Sequence, residues 1–350
     1  MSDKRYLGNI ITPNPTEPSG PYENDAASGV WSLAEALAYT KAGLWPTAGN
    51  VLPVAIFGGR DAASGGGTNV VDKIIITTTG NATDFGDMIS SVENSTLSAS
   101  SSTRALFAGG ELSFGGTSNQ IQYFTFATSG NGTDFGDLTG TTERGGGTAS
   151  STRGVFAGGY TGSTATNVIA YVTMASTGNA TDFGDLINPE TIGIANGIVS
   201  NGSRGIFAGG PAGTNVIEYI TIASTGNATD YGDLTTGLEQ APGSCSNSTR
   251  GLFAGGSVLG SKTNVIQYIT IASTGNATDF GDLITTNRRL CGTSSSTRGV
   301  FAGGDPSSLT FENVIQYVTI ASTGNAIDFG DLTVGGAFLP AASNAHGGLS

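Results

Sequence analysis

Two short motifs recur six times along this chain, about fifty residues apart, and a repeat of that length admits few folds. The first is an aliphatic residue, then Phe and a small, glycine-rich end, with its Phe at 57, 107, 156, 207, 253 and 301. The second is Asp-aromatic-Gly-Asp, whose first Asp stands at 84, 134, 182, 230, 279 and 328. The period exceeds that of leucine-rich or ankyrin units and matches one blade of a β-propeller.

Each repeat divides into four strand-sized pieces. In the last copy the small-residue run 292–296 leads through Arg298-Gly299 into Val300-Phe301-Ala302-Gly303-Gly304, which gives strands A and B. The run 313–320, rich in β-branched residues and apolar on both faces, is strand C, a strand held between neighbouring sheets. Ser322-Thr323-Gly324-Asn325 carries turn chemistry, and Asp328-Phe329-Gly330-Asp331-Leu332 forms the outer strand D. The chain ends are out of phase with the repeat. The first copy begins at strand B, Val54 to Phe57, whereas Ala341 to Gly347 repeats the strand A pattern after the sixth Asp-Phe-Gly-Asp. The C-terminal segment is therefore predicted to complete the first blade and remove the open edge.

Composition agrees with turn-rich β-structure: 56 glycines, 12% charged and 37% apolar residues in a chain of 350. No run approaches the roughly 20 apolar residues that span a bilayer, and no secretion signal is read at the N-terminus, so a soluble chain without membrane insertion is expected. A net charge of −13 argues against a nucleic-acid partner, which needs clustered Lys and Arg. Cys245 and Cys291 lie among small residues and are expected to be free core thiols.

The glycines ending strand B, the aromatic on strand C and the repeat length resemble kelch proteins over residues 51–350. The usual strand D Trp is absent, with Phe85, Phe135, Phe183, Tyr231, Phe280 and Phe329 as the nearest aromatics. The predicted fold is thus all-β: a six-bladed kelch-like β-propeller over 51–350, with an extended N-terminal arm over 1–50.

Candidate site residues follow the repeat. Arg104, Arg153, Arg204, Arg250 and Arg298 recur at the A-to-B turn, with His346 in the sixth place. Asp84, Asp134, Asp182, Asp230, Asp279 and Asp328 recur at the C-to-D turn, on the same face. Recurrence in every blade is what scaffolding requires, so structural bonds from Arg to Asp or to a carbonyl are expected, with an anion-binding ring as the alternative. For the Asp turns, which partly resemble the Asp-box of sialidase-type propellers, acceptance of turn amides is expected, with calcium ligation as the alternative. With His346 the only histidine, neither a catalytic triad nor a multi-histidine metal site can be drawn. No catalytic residue, metal or cofactor is predicted; a glycan-active enzyme using two carboxylates is the minor alternative. Asn-Ala-Thr triplets at Asn81, Asn179, Asn227 and Asn276 look like glycan acceptors and are read as turn sequence. The B-to-C and D-to-A loops vary from blade to blade and emerge on the opposite face, as a recognition surface on a fixed scaffold would.

The arm carries Pro13, Pro15, Pro18 and Pro21, which predict extended chain. A capping box at Ser32 to Glu35, with Gly43 and Pro46 as stops, predicts one helix near 32–42. Trp31, Leu37 and Trp45 give this element more apolar surface than it buries alone, which marks them as anchoring residues. The stretch from Ser28 to Pro46, leading into glycine-rich repeats, resembles the N-terminal segment of structural proteins of tailed bacteriophages, notably marine cyanophages. That resemblance implies a virion location and partners among other virion proteins, with a host surface glycan or protein as a ligand; a cytoplasmic kelch-type interaction module is the alternative.

Overall fold

The computed structural model describes residues 52–350 apart from 62–65, 94–96, 188–196, 211–212, 241, 308–310 and 348–350, with a few positions in the arm. The chain divides into two units, Met1–Leu52 and Pro53–Ser350. In the first, Arg5–Tyr6 pairs antiparallel with Val30–Trp31, and Ala34, Leu37 and Ala38 are helical. The remainder of the expected helix at 32–42, the prolines at 13–21 and Trp45 lie outside the described residues.

The second unit is a six-bladed β-propeller of antiparallel sheets, five of them four-stranded and the fifth blade carrying the extra two-residue strand Ser257–Val258. The third blade is representative, with strand A Gly146–Ala149, B Arg153–Ala157, C Val168–Thr173 and D Thr181–Asp185. The expected phase of the chain ends holds: Ala341, Ala342 and Ser343 pair with Phe57, Ile56 and Ala55, so the last strand of the sequence is strand A of blade 1. The ring is closed by hydrogen bonds between the two ends of the propeller sequence, leaving no unpaired sheet edge at the seam.

Sequence explains the layering. The six A strands converge on the axis, and their residues are small because the backbones almost touch. A Cβ on Gly147 would lie 2.2 Å from the Ser98 carbonyl oxygen of the neighbouring blade. The core lies between blades, in apolar clusters built from the B and C strands of adjacent sheets. The repeated Phe of strand B is fully or almost fully buried at 57, 107, 156, 207, 253 and 301. Each such ring contributes about 2–3 kcal/mol by leaving water. Both thiols are free and buried in these clusters, Cys245 packing against the space left by Gly299. Burial pushes the Cys291 thiol up to about 12 and that of Cys245 higher still, so neither is a reactive thiolate at neutral pH.

Strand D owes its shape to a bulge. In blade 2, Ile121 pairs with Gly136 and Gln122 with Asp134, which leaves Phe135 unpaired and turned into the core. Blades 1, 3, 4, 5 and 6 repeat this shift at Phe85, Phe183, Tyr231, Phe280 and Phe329. The repeated motif thus specifies an inward aromatic at a bulge.

The closing strand yields a direct test. Deleting residues 339–350 removes the buried Leu339 and Ala342, strips strand Val54–Phe57 of its inner partner and is expected to cost about 3 kcal/mol or more. Circular-dichroism melts of the two chains should differ by several degrees; coincident melts would mean the seam is closed by other contacts.

Candidate functional site

The face bearing the A-to-B and C-to-D turns is uniform. Arg104, Arg153, Arg204, Arg250 and Arg298 each donate through Nη1 to a main-chain carbonyl of the following blade, at Met174, Ile222, Ile271, Ile320 and Ile76, over 3.0–3.2 Å. Each guanidinium also lies over a strand C ring, Tyr123, Tyr171, Tyr219, Tyr268 or Tyr317, at 4.6–4.9 Å. Those rings meet the bulged aromatics of strand D edge to face. Of the two bonding modes expected, the carbonyl one is found. The sixth place of this series is Val54, paired with Ile75 as Arg104 is with Thr125, and not His346.

The repeated Asp residues act differently from the expectation. Asp84, Asp134, Asp182, Asp230, Asp279 and Asp328 are exposed, and the only described side-chain bond among them is a long one from Gln120 Nε2 to Asp134 at 3.4 Å. Docking between blades is carried instead by the last Asp of each motif, whose backbone amide donates to an Asn of the next blade: Asp87 to Asn131, Asp137 to Asn179, Asp185 to Asn227, Asp233 to Asn276, Asp282 to Asn325 and Asp331 to Asn81. The motif's glycine completes the joint, since a Cβ on Gly136 would stand 2.5 Å from the Gly178 carbonyl oxygen. The Asn of each Asn-Ala-Thr triplet is therefore engaged as an interblade acceptor.

On the axis, the last residues of the A strands form a ring of hydroxyl-to-carbonyl bonds. Ser100 donates to Ser343, Ser343 to Ser294, Ser294 to Ser246, Ser246 to Ser200 and Ser200 to Ala149, over 2.5–3.0 Å. Ala149 has no hydroxyl to pass on to Ser100. His346 fills that gap, its Nε2 lying 2.9 Å from the Ser100 carbonyl oxygen. Gly347 donates to the Ser246 carbonyl, so the tail spans this end of a central cavity of about 120 Å³. Burial holds the imidazole below its ordinary value, so it is neutral at pH 7 and Nε2–H is the donor.

The opposite face is built from the variable loops, and here the chemistry is concentrated. Three D-to-A connections are bridged to the B-to-C loop of the blade they enter, Glu143 to Tyr160, Glu239 to Ser257 and Ala337 to Asp61. The residues after these bridges, Arg144, Gln240 and Phe338, have φ of 57–58°, and Arg289 of blade 6 has 59°. Left-handed backbone at a non-glycine residue costs of order 1–2 kcal/mol and is concentrated at functional loops. Phe338 N–H donates to the Arg289 carbonyl and Arg289 N–H to that of Gln240, tying three of these residues into one rim.

Charges meet over this rim. Asp305 is contacted by Lys262 at 2.8 Å, Arg288 at 2.9 Å and Arg289 at 3.6 Å. Burial alone would raise its pKa, but the bonds from Lys262 and Arg288 hold it below the ordinary carboxylate value. Arg289 stacks on Phe338 at 4.8 Å, and its pKa is lowered by burial and by the charge of Arg288, with Arg144 adding to the effect. Nε of Arg144, Nε of Arg289 and Oε1 of Gln240 are buried without a hydrogen-bond partner. Beyond the rim, Phe114 and Leu259 project from B-to-C loops, Phe114 fully exposed and Leu259 85% exposed. Sequence reasoning placed variable loops on this face; it did not find Arg144, Gln240 or Phe338, because a left-handed non-glycine residue has no sequence signature. The chain matches no protein-family model and no curated protein sequence.

Two substitutions test the two ends of the axis. His346→Ala withdraws a donor from the Ser100 carbonyl and should cost about 1 kcal/mol. The native imidazole, its folded pKa depressed, lends stability above its ordinary 6.5 that is lost as pH falls, so the pH dependence of the melt below that point should flatten in the variant. Glu143 is held above its ordinary 4.5 by burial and by Glu111, although Arg144 opposes this; folding then binds the proton more tightly, and stability declines as pH rises past 4.5. Glu143→Gln should raise the melting temperature at pH 7, and a fall would show that the carboxylate is needed for the loop.

Proposed function

We propose that the protein is a non-enzymatic virion structural or adhesion component, of kelch-like type, in which the propeller presents a recognition face and the N-terminal arm anchors it. The observation that carries this reading is the contrast between the two faces. One is bonded blade to blade through repeated Arg, Asn and Gly contacts, and its axial end is spanned by the chain's own tail. The other presents unlike loops, with a rim of left-handed residues in which Arg144 Nε, Arg289 Nε and Gln240 Oε1 are buried without a hydrogen-bond partner, and with Phe114 and Leu259 exposed above it. Exposed apolar tips around under-bonded polar groups are what a protein or glycan surface would contact. The resemblance of residues 28–46 to phage structural proteins supports the virion setting, with Trp31, Leu37 and Trp45 as anchors; Leu37 is exposed.

Gold-labelled antibody against the propeller should decorate phage particles in electron micrographs. In binding assays on host cells, replacing Phe114 and Leu259 together by Ser should lower affinity at least tenfold with an unchanged melt. Unlabelled particles, with the protein free in the cytoplasm, would favour the cellular interaction module.

A further inference from the structure

In five of the six clefts between blades, a strand C side chain reaches back to the end of strand D in the preceding blade. Gln122 Oε1 accepts the amide of Ile89 at 2.9 Å, Glu218 Oε2 that of Ile187 at 2.7 Å and Gln316 Oε1 that of Ile284 at 2.9 Å. Gln267 Oε1 accepts both the amide and the hydroxyl of Thr235, each at 2.8 Å. Asp72 accepts the same two groups from Thr333. All five acceptors occupy one register position, opposite the buried Phe of strand B.

In blade 3 that position, opposite Phe156, is Ala170. Across the cleft stands Thr139, which bears the same amide and hydroxyl as Thr235 and Thr333. Where the side chain is missing, the structure has a cavity of about 140 Å³. A water takes about 30 Å³ of liquid, so the space accepts several non-hydrogen atoms. Its walls are apolar at Leu97, Leu138, Phe156 and Val168, and Thr139 supplies the donors.

We infer that the cleft between blades 2 and 3 is a binding site for a carboxamide on a short aliphatic stem, as presented by a glutamine side chain of a partner. The occupant supplies the group that Gln122, Gln267 and Gln316 supply internally. A carboxamide is favoured over a carboxylate because no cationic side chain lines the cavity, and burial already raises the pKa of Glu218 in the equivalent cleft of blade 4. The site is independent of what the loop rim recognises.

The test uses the full chain, isotope-labelled, titrated with acetyl-glutamine methylamide and followed at the Thr139 amide by NMR. Propanamide, a second arm, separates recognition of the carboxamide alone from recognition of a peptide side chain, and acetyl-leucine methylamide is the control without a terminal acceptor. The glutamine probe should shift the Thr139 amide saturably in the millimolar range, and the leucine probe should not. Ala170→Gln should place that amide at its bound position without ligand and abolish the response. Thr139→Val keeps the fold of an exposed position, removes one donor and should weaken binding several-fold. Equal responses to both probes, a folded Ala170→Gln chain that still binds, or an unchanged affinity in Thr139→Val would each overturn the assignment.

Discussion

Six sheets can stand around an axis only if the main-chain donors and acceptors of each find partners in the next, because a propeller buries its sheet ends against one another. Three tiers of such bonds run around this molecule. Near the axis they are serine hydroxyls on carbonyls; at mid-radius they are Gln, Glu or Asp side chains on amides; at the rim they are Asn side chains on the amides that follow the bulge. None is strong singly, at about 1 kcal/mol net, but each would cost more if left unmade inside the protein. The repeated residues are those that satisfy this condition, with Ala149 and Ala170 of blade 3 as the exceptions. The apolar clusters supply most of the driving force, and the polar tiers fix the register at which the clusters meet.

Blade 1 departs from the repeat in a manner that its position explains. Arg60 stands where the other strand B turns have their second glycine, and Asp72 where four of the others have Gln or Glu. The two form an ion pair at 2.9 Å with both side chains wholly buried, and Arg60 also donates to the Val334 carbonyl. Buried pairs seldom add net stability, because desolvation offsets their attraction, but a mispaired alternative would leave an uncompensated charge. Placed between the first and last blades, such a pair penalises any seam that closes out of register. The ring's chain break lies inside blade 1, between Ala341–Ser343 and Val54–Phe57, and the bonds of Arg60 to Val334 and of Thr333 to Asp72 tie the incoming C-terminal segment to the blade beside that break.

Fold and seam were legible because both rest on periodicity. The Phe positions, the strand C runs and the phase of Ala341 to Gly347 each report burial or pairing at a fixed interval, and interval survives in sequence. The roles within the repeat were harder to read. Asp-Phe-Gly-Asp draws the eye to its carboxylates, yet the structure uses the inward aromatic, the close approach at glycine and a backbone amide. A repeated residue type shows that something must be satisfied there; it does not say whether side chain or main chain does it. His346 misled in the same way. Its spacing matched the Arg series, but tail residues are held by whatever acceptor the ring leaves open, here the Ser100 carbonyl opposite Ala149.

That last relation bears on how function can arise in a symmetric fold. Where a repeat is perfect, each donor meets its partner and nothing remains for a ligand. Blade 3 breaks two tiers at once, with Ala149 at the axis and Ala170 at mid-radius. The axial gap is filled from within, by the imidazole of the tail. The mid-radius gap faces a cavity open between loops, where no segment of the described chain supplies an acceptor for Thr139. Two alanines of the same size thus have opposite consequences, decided by whether another part of the chain can reach the group that was left. A ligand site in this architecture is the second case: a vacancy in the internal pattern, with its complementary donors already placed by the symmetry of the other five blades.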